Sequence, residues 1–78
     1  MIINYTYIKT VIYLGEEVLI PKQINYLAID KENILWGFKE EPCLLKGSNW
    51  LPKKTNDFFE IGSVIFFNND WEETLVKV

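Results

Sequence analysis

The sequence predicts a small all-β or β-rich α+β protein with an antiparallel, curled sheet of about five to six strands and at most one short helical turn near the C-terminus. Three observations predict this class. Branched aliphatic and aromatic residues recur in short runs of alternating polarity. Turn residues separate these runs about every 8 to 12 residues. The chain has 78 residues, a length typical of one domain, so we expect residues 1–78 to form a single compact unit.

The clearest strand pair in the sequence spans residues 26–38. Side chains alternate between two faces over residues 26–30 and again over residues 34–38. The turn between them begins with Asp30, whose side chain can bond the backbone ahead, and ends with Asn33, which tolerates a left-handed conformation. Trp36 alternates in step with its apolar neighbours on the second strand, so we expect it in the core.

The N-terminal part of the chain is also predicted to be strand. Residues 2–14 are rich in Ile, Tyr, Thr and Val, which indicates either one long bent strand or two pieces. Gly15 and Glu16 offer a tight turn, and residues 17–20 return as a short strand. Pro21 cannot donate to a strand ladder, so it ends that strand or marks an edge.

Further strands are expected after the central hairpin. Residues 43–45 form one short candidate, and the polar stretches 46–49 and 53–57 are predicted loops. Residues 58–61 and 64–67 either pair as a hairpin or continue as one strand with a bulge at Gly62, and we favour the continuous strand.

The C-terminal residues leave two alternatives open. Asp70 is placed to cap a short helical turn over residues 71–75, and Glu72 and Glu73 lie favourably in its first turn. A terminal strand over residues 76–78 is the other interpretation.

Composition excludes several kinds of chemistry. The chain has no histidine, no arginine and a single cysteine. An internal disulfide, a Cys–His catalytic pair, a zinc site and an arginine finger are therefore not available within the chain. We expect no metal, no cofactor and no enzymatic activity, and Cys43 is expected to be a small buried hydrophobe. A net charge of −3 without arginine also disfavours duplex-DNA binding.

The sequence predicts no contact with membranes. No stretch approaches the roughly 18 to 20 apolar residues that span a bilayer. The N-terminal residues lack a basic segment followed by an apolar block, so no signal peptide is expected. These features predict a protein of the cytosol.

Carboxylates are one source of candidate binding residues. They occur as the pairs Glu16-Glu17, Glu40-Glu41 and Glu72-Glu73, with Asp57, Glu60 and Asp70 as further single residues. Neighbours on a strand point to opposite faces, so adjacent carboxylates do not form a catalytic pair with each other. The pattern is compatible with a solvated surface and with an acidic patch that meets a basic partner.

Aromatic residues are the second source. Trp71 is expected to pack the C-terminus onto the core. Trp50 lies between two predicted loops and is the best candidate for an exposed binding residue, although the core remains its favoured place. The predicted partner-binding residues are Glu40, Glu41, Trp50, Glu72 and Glu73. We expect Glu40→Lys with Glu41→Lys to weaken binding and leave the melting temperature nearly unchanged.

The sequence contains an ordered set of stretches at residues 26–30, 36–38, Pro42, 61–64, Trp71, Thr74 and Leu75. Together they resemble a group of small phage- and prophage-encoded accessory proteins, mostly of unknown function. The turn glycine usual in that group after the Asp is missing, because residues 31–33 are Lys-Glu-Asn. The resemblance implies a phage accessory protein and adds no catalytic residue.

These observations lead to one preferred function and two alternatives. We expect a non-enzymatic binding or inhibitor protein that acts through an acidic and aromatic surface on a host protein, such as a CRISPR or other anti-phage defence component. The partner is a host or phage protein, alone or within a nucleoprotein complex. One alternative is an oligomeric β module, such as a homodimer that buries an aromatic sheet face. The other is a small single-stranded nucleic-acid binder, although its lysines are scattered along the sequence.

Overall fold

The computed structural model describes residues 1, 6–45, 47, 49–54, 56–65 and 70–78. Within these residues the chain forms eight strands and one 3-10 turn. In chain order the strands are β1 (Ile8–Tyr13), β2 (Glu16–Pro21), β3 (Tyr26–Ile29), β4 (Ile34–Phe38), β5 (Cys43–Leu45), β6 (Asn49–Leu51), β7 (Phe58–Ser63) and β8 (Val76–Lys77), and the 3-10 turn is Trp71–Glu73. The predicted all-β class, with one short helical turn near the C-terminus, is confirmed.

The described strands form three antiparallel sheets where one curled sheet was expected. The central sheet has four strands in the order β7-β4-β3-β8. The pair β1 and β2 forms a two-stranded sheet that we name the first ribbon, and the pair β5 and β6 forms the second ribbon. Pro21 ends β2 and Pro42 precedes β5, so neither ribbon's ladder continues into the central sheet.

The first ribbon turns one residue earlier than predicted. Leu14 and Gly15 form the turn with φ values of 49° and 82°. Positive φ at both positions gives the hairpin turn whose twist matches that of the flanking strands. Pro21 is the last residue of β2, as predicted. β1 runs without interruption, while residues 2–5 of the predicted strand lie outside the described residues.

The predicted central hairpin is confirmed, and Asp30 holds its turn. Oδ1 of Asp30 accepts the backbone N–H groups of Glu32 (2.8 Å) and Ile34 (3.0 Å). The indole N–H of Trp36 donates to Oδ2 of the same carboxylate (2.8 Å). Asn33 has a φ of 63°, which fits the tolerance of Asn for the left-handed region. Trp36 is half-buried, so the predicted core position holds for part of its ring.

β7 continues through Gly62, as favoured from the sequence, but it ends at Ser63, so Val64 and Ile65 of the second predicted run are not part of the strand. Its register with β4 shifts, because Leu35 pairs with Gly62 whereas Trp36 pairs with Glu60. Ile61 is therefore the extra residue of a bulge beside the predicted glycine. Residues 66 and 67 of the predicted run lie outside the described residues.

Both C-terminal alternatives form, one after the other. The 3-10 turn contains Glu72 and Glu73, and β8 follows it. The backbone oxygen of Asp70 accepts the N–H of Glu73 at 2.9 Å. The side chain of Asp70 makes no capping bond within the described part of the chain, which corrects that detail of the prediction.

The central sheet carries a buried apolar cluster on each face. Successive residues of β3 point to opposite faces. Leu27 and Ile29 pack with Ile20 of the first ribbon. Ala28, between them in sequence, packs with Trp50 of the second ribbon on the other face. Each ribbon therefore covers one face of the central sheet.

Two further expectations for single residues are wrong. Cys43 is exposed, because it lies on the outer face of the second ribbon, opposite to the face that carries Trp50. Asp57 belongs to the stretch predicted as an exposed loop, yet it is buried. Its Oδ2 accepts the backbone N–H of Glu40 at 3.0 Å, a contact between residues distant in sequence. By contrast, Trp71 packs partly buried against the cluster of Ala28, as predicted.

Candidate functional site

Three turns meet at one end of the central sheet, and Thr74 holds them together. The phenol O–H of Tyr13, in the first ribbon, donates to the backbone oxygen of Thr74 (2.8 Å). The backbone N–H of Ile29, at the end of β3, donates to Oγ1 of Thr74 (2.8 Å). The hydroxyl of Thr74 in turn donates to the backbone oxygen of Trp71, which lies 2.6 Å from Oγ1. The positions of the first ribbon, β3 and the 3-10 turn are therefore coupled.

The short length of β8 explains why side chains are needed at this junction. β8 pairs with Tyr26 and Leu27 and leaves the edge of β3 at Ile29 without a strand partner. A buried backbone group without a partner is costly. Oγ1 of Thr74 accepts the N–H of Ile29, and the indole N–H of Trp50 donates to the carbonyl oxygen of Ile29 (3.0 Å).

The three turns carry exposed carboxylates, which we together name the acidic end. Its members are Glu16, Glu17, Glu32, Asp70, Glu72 and Glu73. Lys31 is the one lysine that accompanies these six carboxylates in the same turns, which gives a formal charge of −5. The described residues include no ion pair that neutralises any of the six. Like charges gathered on one surface strengthen its negative potential and attract a basic partner.

The structure divides the predicted acidic residues between two ends of the molecule. Glu72 and Glu73 belong to the acidic end. Glu40 and Glu41 follow Phe38, which pairs with Tyr26 at the start of β3. The acidic end lies at the other end of β3, next to Ile29. Three residue steps along β3 separate these positions by about 10 Å.

Glu40 and Glu41 are surrounded by lysines. They line a shallow depression of about 500 Å³ together with Lys39, Lys53 and Lys77. Oε1 of Glu40 also lies 3.7 Å from Nζ of Lys54. The charges of this carboxylate pair are therefore largely compensated, unlike those of the acidic end. These lysines are far apart in sequence, and the fold brings them together.

Trp50 does not provide an exposed aromatic surface. It is 8 % exposed and packs with Ala28 and Phe38. The interpretation of Trp50 as an exposed binding residue is therefore wrong, and the core position favoured from the sequence is correct. The aromatic face of the central sheet is covered by the second ribbon and the 3-10 turn.

Four members of the acidic end were not among the predicted partner-binding residues: Glu16, Glu17, Glu32 and Asp70. Each lies in or beside a turn, which is visible in the sequence. The turns themselves are joined by the bonds of Thr74 to Tyr13 and Ile29, which connect residues 61 and 45 positions apart. No local pattern carries that information.

The buried titratable groups among the described residues make structural hydrogen bonds. No group of three or more Asp, Glu or Cys residues could hold a metal ion in the part of the chain that the structure describes. Asp30 is buried, but both of its oxygens accept hydrogen bonds from the hairpin. Burial raises the pKa of Tyr13 to about 12, against the smaller opposite effect of its bond to Thr74. The phenol is therefore a neutral structural donor at physiological pH.

Comparisons with known proteins do not place the chain in a family. No family model, curated protein or solved structure matches it. None of the described residues belongs to a helix of the length and apolarity that crossing a membrane requires. A function must therefore be inferred from the chemistry of the surface.

Proposed function

We propose that this protein is a non-enzymatic binding protein that docks through its acidic end onto a basic surface of another protein and inhibits or adapts it. The observation that carries the proposal is the set of six exposed carboxylates on three turns coupled through Thr74. Residues held by a folded scaffold lose less conformational freedom on binding than residues of a flexible tail. A fixed acidic surface can therefore recognise a fixed pattern of positive charge.

The charges of the acidic end would chiefly increase the rate at which the two proteins associate. Complementary charge accelerates association and selects partner and register more than it increases affinity. Exposed charges are screened over about 8 Å at physiological ionic strength. Binding should therefore weaken as salt increases.

Proteins that bind nucleic acids are the partner class that fits this surface. Such proteins expose lysine and arginine to neutralise phosphates, and an acidic end can occupy the same surface. We propose a host protein of this class, such as a CRISPR or other anti-phage defence component in the bacterial cytoplasm. The resemblance to phage accessory proteins supports the same class of partner.

Charge reversal at the two ends of the molecule tests the proposal. The test variant carries Glu72→Lys and Glu73→Lys, both in exposed positions. The matched control carries Glu40→Lys and Glu41→Lys, which lie among lysines. Binding to purified CRISPR effector complexes and other host nucleic-acid-binding proteins is measured by biolayer interferometry at two salt concentrations, with melting temperatures measured in parallel.

We expect the acidic-end variant to lose at least about tenfold in affinity at low salt. The control should keep its affinity within about threefold, because its carboxylates are already compensated. We therefore propose that charge reversal weakens binding at the acidic end, and not at Glu40 and Glu41 as expected from the sequence. Equal losses in both variants, or affinity that does not depend on salt, would contradict the proposal. Salt-sensitive binding of single-stranded oligonucleotides by the isolated protein would favour the nucleic-acid alternative instead.

A further inference from the structure

An aromatic pocket lies at the margin of the second ribbon, where the ribbon's cover over the central sheet ends towards β7. Its lining contains no charged side chain and includes four aromatic rings, those of Trp36, Phe38, Trp50 and Phe58. Its volume of about 230 Å³ is below the roughly 300 to 1,000 Å³ of pockets that hold drug-sized ligands. The pocket therefore suits one side chain of another molecule.

Trp36 and Phe58 form an open corner of this pocket. Their ring centroids are 5.5 Å apart, and the ring planes meet at 62°. Both rings keep contact with solvent, since Trp36 is half-buried and Phe58 is 42 % exposed. Rings set at a steep angle can contact one bound group from two sides, and the electron-rich faces of aromatic rings attract cations.

Two carboxylates adjoin this corner. Oδ2 of Asp30 accepts the indole N–H of Trp36 at 2.8 Å, and a carboxylate at the edge of the indole polarises the ring and strengthens its attraction for a cation. Glu60 is the residue of β7 that pairs with Trp36, so the two side chains share one face, with Cβ atoms about 4.5 to 5.5 Å apart. Glu60 is exposed and makes no ion pair with any described residue. A cation in the pocket would therefore meet both aromatic rings and a carboxylate.

We propose that this pocket binds the guanidinium group of an arginine side chain of the partner protein. A guanidinium is planar and more weakly hydrated than the ammonium of lysine, so it stacks well on aromatic rings. Its fork of N–H donors can also bind the carboxylate of Glu60 through two parallel hydrogen bonds. The chain itself contains no arginine, so a second copy of this chain cannot supply the group.

The position of the pocket fits a basic partner. Asp30 accepts the N–H of Glu32, a member of the acidic end, through one oxygen and the indole N–H of Trp36 through the other. The pocket and the acidic end thus meet at one hairpin, and a basic surface docked on the acidic end can place an arginine in the pocket. The source of the arginine rests on the proposed function, whereas the preference of the pocket for a guanidinium does not.

Titration of the full chain with the blocked peptide acetyl-Gly-Arg-Gly-amide tests the pocket without any partner protein. Heteronuclear NMR of the isotope-labelled protein follows the indole N–H signal of Trp36, and the signal of Trp71, which does not line the pocket, serves as the internal reference. The same peptide with citrulline in place of arginine has nearly the same shape but no charge. A lysine peptide and a proline-rich peptide without a cation represent other occupants.

Two variants remove the groups that the proposal assigns to the guanidinium. Phe58→Leu removes an aromatic ring, and Glu60→Gln removes the charge of the carboxylate, both at exposed positions. Phe59→Leu is the matched control, because Phe59 follows Phe58 in β7 but packs on the opposite face of the sheet. Melting temperatures show whether each variant is folded.

We expect the arginine peptide to shift the Trp36 signal saturably, with a dissociation constant in the millimolar range that is typical of one side chain. Citrulline, Phe58→Leu and Glu60→Gln should each weaken binding at least about threefold, and Phe59→Leu should leave it unchanged. The absence of a saturable shift, equal binding of the citrulline peptide, or an equal loss in Phe59→Leu would overturn the proposal. So would tighter binding of the lysine or the proline-rich peptide.

The two proposals can fail separately. Glu72 and Glu73, whose charges are reversed in the test of the acidic end, do not line the pocket. Salt-dependent binding of a partner protein without binding of the arginine peptide would refute the pocket alone. Binding of the arginine peptide with the predicted effects of the variants would support the pocket even if charge reversal at the acidic end had no effect.

Discussion

The substitution Thr74→Val tests whether one hydroxyl group couples the three turns of the acidic end. Valine has nearly the same shape as threonine but cannot accept the N–H of Ile29, which donates to Oγ1 of Thr74 at 2.8 Å in the folded protein. Both residues are buried, with exposures of 3 % for Thr74 and 1 % for Ile29. Water therefore cannot easily replace the lost partner.

The expected loss of stability follows from this unpaired group. A buried donor left without an acceptor costs about 1 to 3 kcal/mol. The backbone oxygens near the lost hydroxyl keep other bonds: that of Ile29 accepts from Trp50, and that of Trp71 accepts from the N–H of Thr74. The N–H of Ile29 is therefore the one group left unpaired. With an unfolding entropy of about 2.1 cal/mol/K per residue, a loss of about 2 kcal/mol lowers the melting temperature of a chain this size by about 12 °C.

Thermal unfolding followed by tryptophan fluorescence measures this change, and amide hydrogen exchange locates it. The control is Thr74→Ser, which keeps the hydroxyl and loses one methyl group, at a cost of about 0.8 kcal/mol. The amide of Ile29 should lose protection in the valine variant and keep it in the serine variant. If valine were as stable as wild type, or if serine were as damaging as valine, the assigned role of the hydroxyl would be refuted.

Two further predictions concern Tyr13 and Gly37. The folded-state pKa of Tyr13, about 12, lies above its ordinary 10.0, so its contribution to stability is complete below pH 10 and is lost as pH rises towards 12. The free energy of unfolding of wild type relative to Tyr13→Phe should therefore fall by about 2 to 3 kcal/mol over that interval in urea titrations, and a constant difference would contradict the assignment. Gly37→Ala would place a Cβ atom 2.9 Å from Cγ2 of Ile24, which is fully buried, and should cost about 1 to 3 kcal/mol in the same assay. Gly62→Ala, with no atom within 4 Å of its Cβ, should be neutral or slightly stabilising; equal costs would show that packing against Ile24 is not the cause.

Much of the local structure could be predicted because its causes are local. The hairpin of β3 and β4 follows from alternation and from Asp30, whose carboxylate bonds residues two and four positions ahead. The end of β2 follows from Pro21, which cannot donate to a ladder. The turn at Leu14 was misplaced by one residue because leucine rarely adopts a positive φ.

What could not be predicted depends on contacts between distant residues. Trp50 lies between loop signals, yet its indole N–H donates to Ile29, 21 residues away. Asp57 lies in a polar stretch but is buried against the backbone of Glu40, 17 residues away. The acidic end has the same origin, since Thr74 brings together turns that carry carboxylates from three separate parts of the chain.

The exposed position of Cys43 has a practical consequence for studies of association. Two chains can join through this thiol under oxidising conditions, and such a covalent pair would have the mass of a dimer without any non-covalent association. A reductant is therefore essential wherever binding or molecular mass is measured. The same thiol is the single cysteine of the chain and lies on the second ribbon, across the central sheet from the first. A fluorophore attached there would report on binding from a uniquely labelled site, with the first ribbon left unmodified.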